Sequence, residues 1–233
     1  EYVNPFKKYL EKAVSYYSTK KTLLYAEKPH PFYELYVCND IKYHKYHLTG
    51  VRDTKPEITI SDATVEKLEA ESKYIIIEGI GGIGKSMFLT HLFLSSAQNS
   101  TYSSVVPLFL SLKDYKDTTD NVVDFIWKSI CEYDSKISKK DIIEALQNKE
   151  LILLLDGFDE IQTSVRESFQ SDLEAFIKSY NGNTIIMTSR PIYDSFVSFS
   201  KFSVFDIKPL TKKQALALID KLEFWDEIAK KSF

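Results

Sequence analysis

Only two cysteines, Cys38 and Cys131, occur in this chain, too few for a disulfide framework. No signal-like segment opens it, so a reducing cytoplasm is the expected location. The longest purely aliphatic run, residues 151–155, is far too short to span a bilayer, and no membrane is expected as a partner. Positive charge is not in excess either. The net charge of -3 gives no electrostatic case for nucleic acid as a partner. With 44% hydrophobic and 27% charged residues, the composition is that of a globular domain. Its 233 residues suffice for one large domain, or one domain plus a smaller neighbour. The chain opens at Glu1 without a methionine and stops at Phe233, just after an amphipathic segment. It therefore reads as an excerpt from a longer protein.

Glycine is also scarce, and its placement is uneven. Four of the seven glycines fall within Gly79-Ile80-Gly81-Gly82-Ile83-Gly84-Lys85-Ser86, which fits the phosphate-loop pattern G-x-x-x-x-G-K-[ST]. Upstream, Tyr74-Ile75-Ile76-Ile77 has the β-branched and aromatic character of a buried parallel strand. Downstream, Met87, Phe88, Leu89, Leu92, Phe93 and Leu94 suit a buried helix. A strand, a glycine turn and a helix start are what phosphate binding needs. The glycines let backbone N–H groups close on phosphate oxygens, and the helix N-terminus adds positive potential. The expected nucleotide-binding residues are Gly79, Ile80, Gly81, Gly82, Ile83, Gly84, Lys85, Ser86 and Met87. Lys85 would reach the β- and γ-phosphates, and Ser86 would hold Mg²⁺.

Residues 1–72 differ from the rest, with nine of the fifteen tyrosines in the first fifty positions. Asn4-Pro5 reads as an N-cap and first helical position. Phe6, Tyr9, Leu10, Ala13, Val14 and Tyr17 then recur at helical spacing. Residues 34–37 and 42–48 look extended, and residues 49–62 look like a connector. From Lys73, strands alternate with helices. Strands are expected at 75–77, at 105–110 with Pro107 at an edge, and at 151–155, 184–187 and 203–207. Asp120, Ser138-x-x-Asp141 and Thr211-x-x-Gln214 read as helix starts, and Asn181-Gly182 as a helix stop. The expected fold is α/β: a three-layer P-loop NTPase with a mainly parallel five-stranded sheet. The expected division is 1–72 as a small N-terminal α+β segment, 73–209 as the core, and 210–233 as the start of a helical lid.

Two further strand ends point to the same site. The strand at 151–155 runs into Asp156-Gly157-Phe158-Asp159-Glu160. A carboxylate there lies beside a phosphate loop, so Asp156 is expected to bind Mg²⁺ with Ser86. Glu160 is the candidate to polarise an attacking water, with Asp159 sharing or supporting that task. The strand at 184–187 runs into Thr188-Ser189-Arg190-Pro191, which puts Arg190 near a γ-phosphate. The expected catalytic residues are Lys85, Asp159, Glu160 and Arg190.

Competing patterns are weaker. A guanine-reading Asn/Thr-Lys-x-Asp motif is missing, since Ser138-Lys139-Lys140-Asp141 opens a helix instead. Arg52, Arg166 and Arg190 are too few for the arginine-bearing lid of a small-molecule kinase. A mechanical AAA+ motor needs an arginine that reaches a neighbouring subunit, and Arg166 is the candidate. His44 and His47 fall on opposite faces of an apparent strand, so Cys38, His44 and His47 make a poor zinc site. No G-x-S-x-G turn supports a serine nucleophile.

Taken with their contexts, residues 79–86, 151–160 and 188–191 resemble the NACHT family, in the STAND class of P-loop NTPases. The resemblance covers about residues 73–222, and Asp156-Gly157-Phe158-Asp159-Glu160 is its most discriminating piece. It implies ATP and ADP as ligands, adenine preferred over guanine, and slow hydrolysis used as a switch. It also implies self-oligomerisation, effector and sensor domains that the chain does not identify, and a role like that of bacterial antiphage and immune sensors. The segment from Thr211 resembles the first lid helix. The remainder of such a lid would lie beyond Phe233.

Overall fold

The computed structural model describes residues 5–21, 27–43, 58–99, 105–116, 121–191 and 199–222. In chain order the elements are α1 (Lys7–Tyr17), β1 (Thr19–Lys20), β2 (His30–Pro31), β3 (Ile41–Tyr43), β4 (Thr59–Ile60) and α2 (Val65–Glu69). There follow β5 (Tyr74–Glu78), α3 (Lys85–Asn99), β6 (Val106–Ser111), α4 (Val122–Cys131), α5 (Lys139–Gln147) and β7 (Leu151–Asp156). The last are α6 (Thr163–Ser179), β8 (Thr184–Ser189), β9 (Ser203–Ile207) and α7 (Lys212–Lys221).

The main sheet has seven strands in the order β4-β3-β9-β5-β8-β7-β6. The five expected parallel strands are its body, with Ile76 opposite both Met187 and Val204. Their near-continuous apolar runs follow from burial on both faces, and the first five residues of β7 are all buried. Right-handed crossovers put α3 on one face and α4 to α6 on the other, giving three layers. Moving from β5 to β6 and then back toward β8 reverses the direction of travel, which is what switches the face.

β6 lies at the sheet edge, where its Pro107 costs no ladder hydrogen bond. That edge is not bare. The buried Tyr9 hydroxyl of α1 accepts a hydrogen bond from the Phe109 N–H at 3.0 Å. Tyr17 packs its ring on Phe93 of α3 and Phe109 of β6. The helical face expected for α1 therefore does pack, and it covers an edge that would otherwise invite strand pairing.

The N-terminal segment differs from expectation in several places. α1 begins at Lys7 rather than Pro5, with Phe6 at the N-cap position and no side-chain cap, while Asn4 lies outside the described residues. Residues 34–37 are not a strand. Phe32–Glu34 form a 3-10 turn, because the Tyr36 ring stacks on Phe32 at 4.9 Å and folds the chain back. The expected connector contains β4, which pairs antiparallel with β3 and sets Ile60 against Ile41. β3 in turn pairs antiparallel with β9, so two strands from before residue 73 extend the sheet. Alternation signals are too short in strands of two or three residues to be read from sequence.

Farther on, Asn121 caps α4 by accepting from the Asp124 N–H; Asp120 lies outside the described residues. Both expected capping boxes are present, Ser138 with Asp141 and Thr211 with Gln214. α6 ends before Gly182, whose φ of 98° is the left-handed turn that a glycine tolerates. His44, His47 and Arg52 also lie outside the described residues.

Candidate nucleotide-binding site

Residues 79–84 join the end of β5 to the start of α3. Gly82 and Gly84 have φ of 79° and 107°, conformations that side chains with a Cβ resist. Gly79 is fixed for another reason: a Cβ there would lie 2.4 Å from Ile207 Cγ2 of β9. Its N–H donates to the Ser189 carbonyl at the end of β8. The loop is thus pinned by the two strands that flank β5. It leads into α3, whose first N–H groups have no intrahelical acceptor and point toward the loop.

Lys85 folds back over this loop, donating to the Gly79 carbonyl at 2.6 Å and the Ile80 carbonyl at 3.0 Å. Burial lowers its pKa; Asp159, Asp156 and Glu160 oppose that shift, while Arg190 adds to it. All four partners therefore lie within electrostatic reach of the ammonium. Ile80 is 68% exposed, so the outer side of the loop is open.

The ends of β7 and β8 meet the loop at Asp156. Its Oδ1 accepts from the Ser86 hydroxyl at 3.1 Å and from the Thr188 hydroxyl at 2.7 Å. Thr188 Oγ1 also accepts from the Gly157 N–H at 2.9 Å. Thr188 is fully buried, and it sets both the carboxylate and the turn after it. Sequence reasoning passed over Thr188; its position at a strand end, next to Arg190, was the available signal.

Asp159 and Arg190 form the next layer. The Arg190 N–H donates to Asp159 Oδ1 at 3.0 Å, and Arg190 Nε lies 3.1 Å from Oδ2. The guanidinium rests beside the phosphate loop, 3.5 Å from where a Cβ on Gly81 would be. Glu160 is exposed, but its side chain lies over Gly157: a Cβ on Gly157 would be 3.0 Å from Glu160 Cδ. Gly157 also has φ of 81°. Arg166 does not face outward. It donates to the carbonyls of Asp159 and Ile161, both at 3.1 Å, and stands over the Phe158 ring.

The expected site residues are thus gathered around one loop, with Met87 in the first turn of α3 behind it. The N-terminal segment borders the site as well, which no sequence signal announced. Asn39 is buried, donates to the Lys208 carbonyl at 2.9 Å, and lies 3.4 Å from where a Gly84 Cβ would be. Gln214 at the start of α7 donates to the Cys38 carbonyl and to Asp40. Lys20 shares a cavity with Ser86 and Asp156.

The donor set fits a magnesium nucleotide. Mg²⁺ takes hard oxygen ligands and keeps several from water and phosphate, so a hydroxyl and a carboxylate 3.1 Å apart beside a glycine cradle suit it. Among the described residues no group of three or more His, Cys, Asp or Glu is placed to hold a metal by itself. Among them also, no helix is long and apolar enough to cross a membrane.

No similar sequence is found among curated proteins. Among solved structures, C. elegans PCH-2 is similar at 14% identity with a TM-score of 0.42, over 63% of this chain and 38% of that one. The chain therefore spans well under half the length of that structure. The NACHT domain model matches residues 73–223, which take in the phosphate loop, Asp156 to Glu160 and Arg190. A match over that span means that this chain belongs to the NACHT domain family, a family of nucleotide-binding P-loop NTPases.

Proposed function

We propose that this chain is the nucleotide-handling part of a signalling switch that binds ATP with Mg²⁺ and hydrolyses it slowly. The observation that carries this reading is the convergence of three strand ends on one loop: Ser86 and Thr188 on Asp156, and Asp159 on Arg190.

In this reading the backbone of residues 79–87 wraps the phosphates. Lys85 leaves the Gly79 and Ile80 carbonyls to neutralise the β- and γ-phosphates. Ser86 and Asp156 would hold Mg²⁺, which when bound would offset phosphate charge during transfer. Both Asp159 oxygens are engaged by Arg190, so Asp159 positions that arginine rather than a water. Glu160, exposed beside the site, is left to orient and deprotonate the attacking water. Arg190 can shift from Asp159 to a γ-phosphate, which makes it a detector of the third phosphate.

The larger protein is proposed to oligomerise when ATP replaces ADP, as a bacterial immune-like or antiphage sensor in the cytoplasm. The mechanical AAA+ alternative loses its candidate arginine, because Arg166 is committed within its own chain. A scaffold that binds but does not hydrolyse nucleotide is separated by phosphate release. The chain is expected to release phosphate from ATP, and Glu160→Ala to abolish most of it. Equal release by both proteins would remove Glu160 from the mechanism.

A further inference from the structure

A cavity of about 300 Å³ opens on the metal side of the loop. Ser86 and Asp156 line it, and so does Lys20, from far upstream in the sequence. Lys85 and Arg190 do not line it. Lys20 therefore supplies charge from a direction that the other two cations leave uncovered.

The backbone of Lys20 is well fixed. Tyr17, one turn earlier, is buried against Phe93 and Phe109. β1 pairs with β2, setting Lys20 opposite His30, and the Phe32 N–H donates to the Ser18 carbonyl at 2.7 Å. The Lys20 ammonium stands 5.2 Å from the centre of the Tyr17 ring, a cation–π distance. It is half-buried, and that burial lowers its pKa, with the nearby Asp156 carboxylate opposing the shift.

Among the described residues, the cation–π contact with Tyr17 is the structural task of this ammonium. Covering Tyr17 needs only the aliphatic stem, and surface lysines normally extend into water. Asp156 is an incomplete partner, because its Oδ1 is already taken by Ser86 and Thr188. Lys113 adds a second cation to the walls, while Asp114 and Glu132 add carboxylates. The cavity thus holds two cations and three anions, counting Lys20 and Asp156. A phosphate is welcome there only once a divalent cation offsets Asp156.

We propose that Lys20 is a phosphate-binding residue of the nucleotide site, contacting the terminal phosphate of a nucleoside triphosphate from the Asp156 side. The inference rests on the proposed nucleotide-binding function and deepens it: the segment before the NACHT match contributes a side chain to the site. Because α1 and β1 carry Lys20, the third phosphate then also ties the N-terminal segment to the core.

The test is calorimetric titration of the 233-residue chain with ADP and with a non-hydrolysable ATP analogue, both with Mg²⁺. Lys20→Met keeps a stem over Tyr17 and removes the charge. It should weaken the triphosphate analogue about tenfold and leave ADP within about twofold, as loss of one charge-assisted hydrogen bond predicts. Lys20→Arg should recover most of the loss. An unchanged ratio of the two affinities in Lys20→Met overturns the inference, whether both affinities fall together or neither does. A wild-type chain that binds neither nucleotide overturns the underlying functional reading instead, which is a different result.

Discussion

Arg190 is bound to Asp159 twice, by its backbone N–H to Oδ1 at 3.0 Å and by its Nε to Oδ2 at 3.1 Å. One contact fixes where the chain leaves β8, and the other fixes where the guanidinium points. Asp159→Ala removes both. Arg190 then loses its orientation, and phosphate release should fall about ten- to a hundredfold, as for a misplaced catalytic group. ADP affinity should hardly change, because ADP lacks the phosphate that Arg190 is proposed to meet. An Asp159→Ala chain that hydrolyses ATP at the wild-type rate would show that the pair is only structural.

Asp156 is proposed to carry the metal, so its loss should be felt mainly through Mg²⁺. In the wild-type chain, chelating Mg²⁺ should weaken ATP binding clearly. In Asp156→Ala, chelation should change ATP affinity by less than about twofold, since the protein's carboxylate ligand is already gone. Retention of the full Mg²⁺ effect in the variant would move the metal site elsewhere.

Gly157 faces two separate demands, a φ of 81° and the Glu160 side chain lying 3.0 Å from where a Cβ would be. Gly157→Ala should lower unfolding free energy by about 1–2 kcal/mol from the left-handed backbone alone. The steric part adds to this. A chain that also carries Glu160→Ala should recover the steric part and keep the backbone part. Denaturant midpoints of the single and double variants measure both. If Glu160→Ala recovers nothing, the close approach of these two residues is not felt in solution.

Tyr9 and Phe109 are a hundred residues apart, yet the Tyr9 hydroxyl is the acceptor for a buried N–H of the edge strand β6. Tyr9→Phe keeps the ring and leaves that N–H unpaired, at a cost of about 1–3 kcal/mol. Chemical denaturation should show the loss at unchanged secondary structure. No loss would mean that water replaces the hydroxyl.

The parallel core was legible because each of its parts has a strong local signature. Strands β5, β7 and β8 are apolar runs buried on both faces, and Ser138 with Asp141 and Thr211 with Gln214 are capping pairs three residues apart. The loop at Gly79 to Ser86 was legible because its spacing is dictated by phosphate geometry. The N-terminal segment was not. β3 and β4 are too short to show alternation, and their place depends on β3 pairing with β9, more than 160 residues later in the chain, and on β4 pairing with β3. Lys20 and Asn39 were missed for the same reason. They reach the site through packing of α1 and of residues 38–40, which no local pattern encodes.

The central claim is that residues 79–86 bind nucleotide phosphates, with Lys85 as their principal cation. Calorimetric titration of ATP and Mg²⁺ into the wild-type chain and Lys85→Ala tests it most directly. The wild-type chain should bind, and Lys85→Ala should lose most of that affinity while its circular dichroism and unfolding midpoint stay close to wild type. Equal ATP affinity in a folded Lys85→Ala chain would contradict the account.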